Sequence, residues 1–235
     1  MVKFIYPIWK PSTLSGDDFR EQLLGELIPQ LRTLNQVESL RIAVVDSAVA
    51  PATARRMENC QPLPDGVISL YMSGLDRDTW DEKSCADTLI QNSVERASCY
   101  QVSETEVLKH DVTSGERIQG FCQIVFLQRP SRLSEAAWLE LWQGSHTQVA
   151  IDTQATFGYR QNVITRRYTD AAPELHAMIE ENFPDQAMAS DQAFYGARDD
   201  EDLQLKLAAM LESCARFIDF DKIDVIPMSE YFFQA

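Results

Sequence analysis

Hydrophobic and polar positions follow two periods along this chain, and the two periods alternate. Residues 3–9 read as a strand, with Pro7 placing it at an edge or marking a bulge. Ser15 is a good helix N-cap, and Asp17 and Asp18 suit a first turn. Phe19, Leu23, Leu24, Leu27, Ile28 and Leu31 then recur at three- and four-residue steps, which predicts an amphipathic helix that Pro29 should kink or shorten. Residues 38–48 give a second strand, 50–66 a loop rich in Pro, Ala and Arg, and Gly66–Met72 a third strand. A helix is expected from Thr79 to about Ala97, and a fourth strand from Cys99 to Leu108. This order, β-α-β-β-α-β, is that of a ferredoxin-like module.

The polar stretch Lys109–Gln119 reads as a linker, after which the pattern restarts. Phe121–Leu127 is a strand, Ser134 caps a helix running to about Thr156, and Gly158–Ile164 is the next strand. Ala193–Tyr195 is placed in the third strand, Asp200–Phe217 in a helix, and 224–233 in the closing strand. Residues 168–190, with a short helical pattern at Glu174–Glu181, are expected to form a long excursion that either covers a pocket or is plain surface. A direct sequence match supports the repeat: Lys10-Pro-Ser-Thr-Leu-Ser aligns without a gap on Arg129-Pro-Ser-Arg-Leu-Ser, and 119 residues separate Pro11 from Pro130. The expected fold is therefore α+β, with tandem ferredoxin-like modules at 1–112 and 118–235. Each has one bare sheet face, and the two faces must cover each other.

Composition narrows the partners. In 235 residues, 45% are apolar, enough for a sizeable core. A net charge of −15 argues against nucleic acid and anionic membranes as partners. No stretch has the ~20 apolar residues of a membrane helix, and the N-terminal apolar run is too short for a signal peptide. The five cysteines are odd in number and widely spaced, as expected of reduced thiols in a cytoplasmic protein.

The candidate chemistry lies mainly in the second module. Trp138, Leu141, Trp142, Ser145, His146 and Val149 form one helical stripe, so His146 shares an apolar side with two tryptophans. A histidine beside an apolar pocket can move protons near neutrality; the plainer reading is a helix histidine bonded to a nearby carbonyl. The position 119 residues before His146 is Leu27, so the first module has no equivalent base. Tyr159 and Gln161 point to one side of their strand, Arg160 and Asn162 to the other, and either pair is a candidate to face a cavity. Tyr6, Trp9, Tyr71, Phe126 and Tyr195 are aromatic candidates for lining a site for a flat apolar ligand, or for simple core packing. Lys10 and Arg129 hold equivalent positions at strand ends, while His110 and His176 are expected to face solvent. The three histidines lack the spacing of a local metal motif.

Arg129-Pro130, Leu133-Ser134, Trp138, Trp142, His146, then Tyr159, Gln161 and Asn162, together resemble an EthD-type domain, and Arg216-Phe-Ile-Asp219 with Ser229-Glu230 fits its ending. The likeness covers about 115 residues well and the first half more loosely. It implies membership of the dimeric α+β barrel superfamily, here with both modules in one chain and two such chains free to pair. It also implies cofactor-independent proton transfer, as a lyase, dehydratase, isomerase or cyclase, on a small aromatic or polyketide-like carbonyl compound. In that reading His146 is the general acid/base, Tyr159 or Asn162 holds the oxyanion, and Trp142, Gln161, Phe126, Tyr6, Trp9 and Tyr195 contact the substrate. Three alternatives stay open: a non-catalytic binding or accessory protein of an oxidative degradation pathway, a cofactor-free monooxygenase, and a haem protein with His146 as axial ligand.

Overall fold

A computed structural model describes residues 1–60, 62–73 and 80–235 of the chain, residues 80–82 by their backbone alone. Nine strands are present among these: β1 (Val2–Trp9), β2 (Val37–Val44), β3 (Gly66–Met72), β4 (Arg96–Ala97), β5 (Tyr100–Leu108), β6 (Phe121–Leu127), β7 (Gly158–Arg167), β8 (Ala177–Phe183) and β9 (Ile223–Gln234). Eight of them close into an antiparallel barrel in the order β3-β2-β9-β6-β8-β7-β5-β1, with β1 pairing back to β3. The strands before the connector and those after it form two four-stranded arcs of the same order, joined at the seams β2–β9 and β5–β7. Short β4 lies on β1 outside the ring.

Helices cover the outside of both arcs, and the repeat carries into their detail. In the first, α1 (Gly16–Gln22) passes through a π-helical stretch (Leu23–Leu27) into α2 (Ile28–Leu31). In the second, α4 (Glu135–Leu139) passes through a π-helical stretch (Glu140–His146) into α5 (Thr147–Thr153). Ser15 and Ser134 cap these helices through the backbone N–H of Asp18 and Ala137, at 3.1 and 3.3 Å. The widened turn does not depend on Pro29, because Gln148 stands at the equivalent place. The remaining helices are α3 (Trp80–Ser93), α6 (Asp191–Phe194) and α7 (Asp200–Ala215), the last capped by Asp199. No described helix is long and apolar enough to cross a membrane.

Three sequence expectations need correction. The third strand of the second half is Ala177–Phe183, inside the supposed excursion, whereas Ala193–Tyr195 lies at the end of α6. The sequence Ala-Met-Ile-Glu-Glu-Asn-Phe hides its strand character because both faces are buried and three consecutive residues are polar. The loop at 50–66 begins inside a 3-10 helix, Ser47–Arg55. The helix expected from Thr79 to Ala97 ends at Ser93, and Thr79 itself lies outside the described residues. The connector is tied down: Gly115 and Ile118 N–H groups donate to the carbonyls of Phe232 and Glu230. Gly120, at φ 89°, turns it into β6 where a Cβ would fall 1.9 Å from the Phe183 carbonyl oxygen.

Apolar side chains fill a layer under each set of helices and one part of the barrel interior, around Ile5, Val67, Phe126, Met178 and Met228. The rest of the interior is ionic. Lys3 Nζ meets Glu104 and Glu180 at 2.6 and 2.7 Å, and Arg160 meets Glu180 and Glu230 at 3.2 and 2.5 Å. Arg41 adds a 3.0 Å contact to Glu230. Asn162 and Asn182 donate to Glu180 and Glu230. Three cations thus face three carboxylates drawn from both halves. Burial alone would raise the Glu180 carboxyl, but Lys3 and Arg160 reverse this and hold it well below its ordinary 4.5. A depressed carboxyl contributes stability above its unfolded value and loses it as pH falls below 4.5. Replacing Arg160 with Leu takes one cation from each of Glu180 and Glu230, leaves two cations for three buried carboxylates, and should cost ~3–5 kcal/mol in urea denaturation at pH 7. A loss below ~1 kcal/mol would show that the network is not held as described.

Candidate functional site

On the outer face of the second arc, Gln123, Tyr159, Gln161 and Glu181 share one surface with Val125, Leu127, Ile179 and Val225, beneath α4, α5 and α7. Trp138 and Trp142 anchor the helix onto this face, with ring centroids 5.1 Å apart, and both are fully buried. The π-helical stretch ends at His146 and brings it inward, 6% exposed. Its Nδ1 lies 2.9 Å from Ser213 Oγ on α7, and its ring packs on Phe217 at 4.7 Å. Burial, with a smaller push from Arg216, lowers the imidazole to about 4, so His146 is neutral at physiological pH.

Apolar side chains on this face surround two polar groups, a cross-strand Gln–Glu pair and the Tyr159–Gln161 pair on β7. Gln123 on β6 stands opposite Glu181 on β8 and hydrogen-bonds to it. In the first half the position 119 residues before Gln123 is Phe4, and the strand register pairs Phe4 with Leu70. An apolar pair in one half is therefore a Gln–Glu pair in the other. Burial lifts the Glu181 carboxyl to about 7, and the bond from Gln123 offsets only part of that rise. Beside it, Gln161 Nε2 donates to Tyr159 Oη at 2.9 Å and to Thr147 Oγ1 at 2.8 Å, tying β7 to α5.

A cavity of about 260 Å³ opens here, lined by His146, Glu181, Gln123, Tyr159, Tyr195 and Cys214 among others. Its mouth is apolar: Met57, Leu211 and Phe220 are all exposed, at 37%, 57% and 42%. The first half completes the wall, since Arg55 and Met57 come from the segment after β2. Arg55 is held there by Asp191, by the Ala187 carbonyl and by the Phe194 ring at 4.3 Å.

The candidate residues fall into separate places. His146, Tyr159 and Tyr195 line the cavity; Gln161 and Trp142 lie beside or behind that lining. Asn162 lies on the opposite face of β7, inside the barrel with its Nδ2 on the Met178 carbonyl and Glu180, and is not brought to His146. Phe126 and Trp9 line a different cavity at one end of the barrel. Tyr6 faces the first half's helices and donates to Asp87 at 2.8 Å. Lys10 and Arg129 each reach back to a carbonyl four residues on, Leu14 and Leu133, stapling the same turn twice. His110 and His176 are half-buried rather than solvent-facing: both nitrogens of His110 are enclosed beside Phe157, and His176 Nδ1 accepts from the Arg129 N–H at 3.2 Å. Glu181 escaped the sequence reading. The 119-residue register opposite Phe4 is the signal that could have found its partner, Gln123.

No protein-family model matches the chain, and no curated protein matches it in sequence. Solved structures do match. One is an anthrone oxidase-like protein, 10% identical, TM-score 0.54, with 100% of this chain and 93% of that chain covered. Another is described as "putative monooxygenase" from Lactobacillus acidophilus, 9% identical, TM-score 0.50, covering 99% and 95%. A third, from Fusobacterium nucleatum and described in the same words, is 6% identical with TM-score 0.52, covering 99% and 92%. At these identities the likeness shows the fold alone, an α+β barrel closed by antiparallel strands.

Glu181 binds more protons in the folded chain between pH 4.5 and 7, so its burial costs stability that grows as pH rises through that window. Glu181→Gln should therefore match the parent near pH 4 and exceed it by roughly 2–3 kcal/mol above pH 7. Urea denaturation across pH checks this; a difference that is flat with pH would contradict it.

Proposed function

We propose that the chain is a small-molecule enzyme of proton transfer, EthD-like in its second half, with Glu181 as the acid/base and His146 as a neutral hydrogen-bond donor. The single observation that carries this reading is the Gln123–Glu181 pair, set in an apolar cavity where the first half has Phe4–Leu70. A carboxylate with a proton affinity near neutrality is a far better base than an ordinary one and still returns its proton at pH 7. The substrate would be a flat aromatic or polyketide-like carbonyl compound admitted through the apolar mouth.

In the reaction, Glu181 takes a proton from the carbon next to the carbonyl, and the electron pair moves onto the carbonyl oxygen. If Ser213 donates to Nδ1, His146 carries its hydrogen on Nε2, and a neutral imidazole can then stabilise the enolate without protonating it outright. Tyr159 accepts from Gln161 and keeps its own hydrogen for the same oxygen. Return of the proton to another carbon of the enolate completes an isomerisation; attack of the carbanion on a second carbonyl of the substrate, with the proton passed to the new alkoxide, completes a cyclisation; and loss of a β-hydroxyl, which leaves as water with that proton, completes an elimination. An electron-rich carbanion is also what dioxygen would attack, so the same first step would serve oxidase chemistry of the kind named for the solved neighbours. A haem does not fit: the cavity, at about 260 Å³, is smaller than the ~300–1,000 Å³ of ordinary ligand sites.

Binders found by thermal shift among aromatic and β-dicarbonyl compounds would be followed by solvent deuterium exchange at their acidic carbon. The expected result is exchange that rises with pH through about 7 and falls ~10²–10⁴-fold in Glu181→Gln, with ligand affinity kept. His146→Gln should slow exchange less, because it removes a stabiliser and leaves the base. Exchange unaltered by Glu181→Gln would overturn the assignment. Binding without exchange in the parent would favour a carrier role instead.

A further inference from the structure

The barrel has a second cavity, on the other side of the sheet from Glu181. The ionic network occupies the Lys3 region of the interior, whereas the interior at the Trp9 end is apolar. There a cavity of about 190 Å³ opens between Trp9, Phe126, Leu63 and Leu175, with Cys60 and Gln128 on its wall. Beneath it, Ile5, Tyr100, Ile164 and Met178 enclose the continuation of the lumen, too narrow to hold water. The walls are braced by polar contacts that leave the apolar surfaces facing inward. Trp9 Nε1 donates to the Pro62 carbonyl at 3.1 Å, and Tyr100 Oη donates to the Pro173 carbonyl at 2.7 Å. The Asp224 carboxylate on the wall accepts the N–H groups of Asn59 and Cys60, at 2.8 and 2.9 Å.

Arg96 decides the ligand class. Its guanidinium carbon lies over the Trp9 ring, 3.5 Å from the centroid, at the lip of this cavity. In a chain of net charge −15 it makes no ion pair among the described residues. A guanidinium stacked on an aromatic wall keeps its in-plane N–H groups for a planar anion. We propose that this end of the barrel is a second small-molecule site, which takes a one- or two-ring aromatic carboxylate with its ring between Trp9 and Phe126 and its carboxylate on Arg96. The volume is below the ~300–1,000 Å³ of drug-sized sites, which restricts the ligand to such a fragment.

The test is calorimetric titration of the full chain with 2-naphthoate and with neutral 2-naphthol. Saturable one-site binding of naphthoate is expected. Leu175→Trp, which fills the mouth from a half-buried position, should abolish it. Arg96→Gln should weaken naphthoate about 3–10-fold and leave naphthol unchanged, as for one charge-assisted contact at an open rim. Phe126→Leu should weaken both ligands without removing the charge preference. No saturable binding, binding that survives Leu175→Trp, or binding lost instead in Leu211→Arg at the mouth of the other cavity would each overturn the proposal.

Discussion

Everything in this fold depends on closing a set of buried charges on themselves. Lys3, Arg41 and Arg160 face Glu104, Glu180 and Glu230 inside the barrel. Neither arc balances its own charges. Lys3, Arg41 and Glu104 stand on the first, one positive charge in excess, while Arg160, Glu180 and Glu230 stand on the second, one negative charge in excess. Two of the pairs, Lys3–Glu180 and Arg41–Glu230, form only across the two arcs, so Arg41 has no carboxylate and Glu180 and Glu230 share one cation until the barrel closes. The seams β2–β9 and β5–β7 bring these groups within bonding distance, so closure and charge pairing are one event.

Closure also frees the outer faces to differ. With the interior fixed by pairing, each outer face needs only helices to cover it, and the two halves have diverged there. The first packs Phe4, Leu27 and Leu70 into a solid layer. The second places Gln123, His146 and Glu181 at the corresponding positions and leaves a cavity. The first half supports that cavity through the Arg55–Met57 segment. The same duplication thus supplies a filled module that seals the barrel and a hollow one that holds polar groups in an apolar wall.

How much was legible follows from which signals are local. Ser15 and Ser134, Phe19 and Trp138, Leu27 and His146 could all be paired by register, because caps and helix stripes are written in consecutive residues. Strand β8 was not legible. Its Glu180 and Asn182 look solvent-seeking, and only Lys3, Arg160 and Glu230, distant in sequence, make them interior residues. Glu181 was lost with that strand. Asn162 and Tyr159 were open alternatives because period two says that neighbours face apart without saying which face holds a cavity. The aromatic set divided for the same reason: Tyr6, Trp9 and Phe126 face three surroundings that the topology alone distinguishes.

The proposed function requires that Glu181 exchange its proton near neutrality inside the His146 cavity. Its most direct test is a carbon-13 NMR titration of the glutamate side-chain carboxyls, with Glu181 assigned by its absence in Glu181→Gln. The expected result is a carboxyl that titrates at about 7, set apart from the surface glutamates. A Glu181 carboxyl that titrates near its ordinary 4.5 would contradict it, and the cavity would then lack its base.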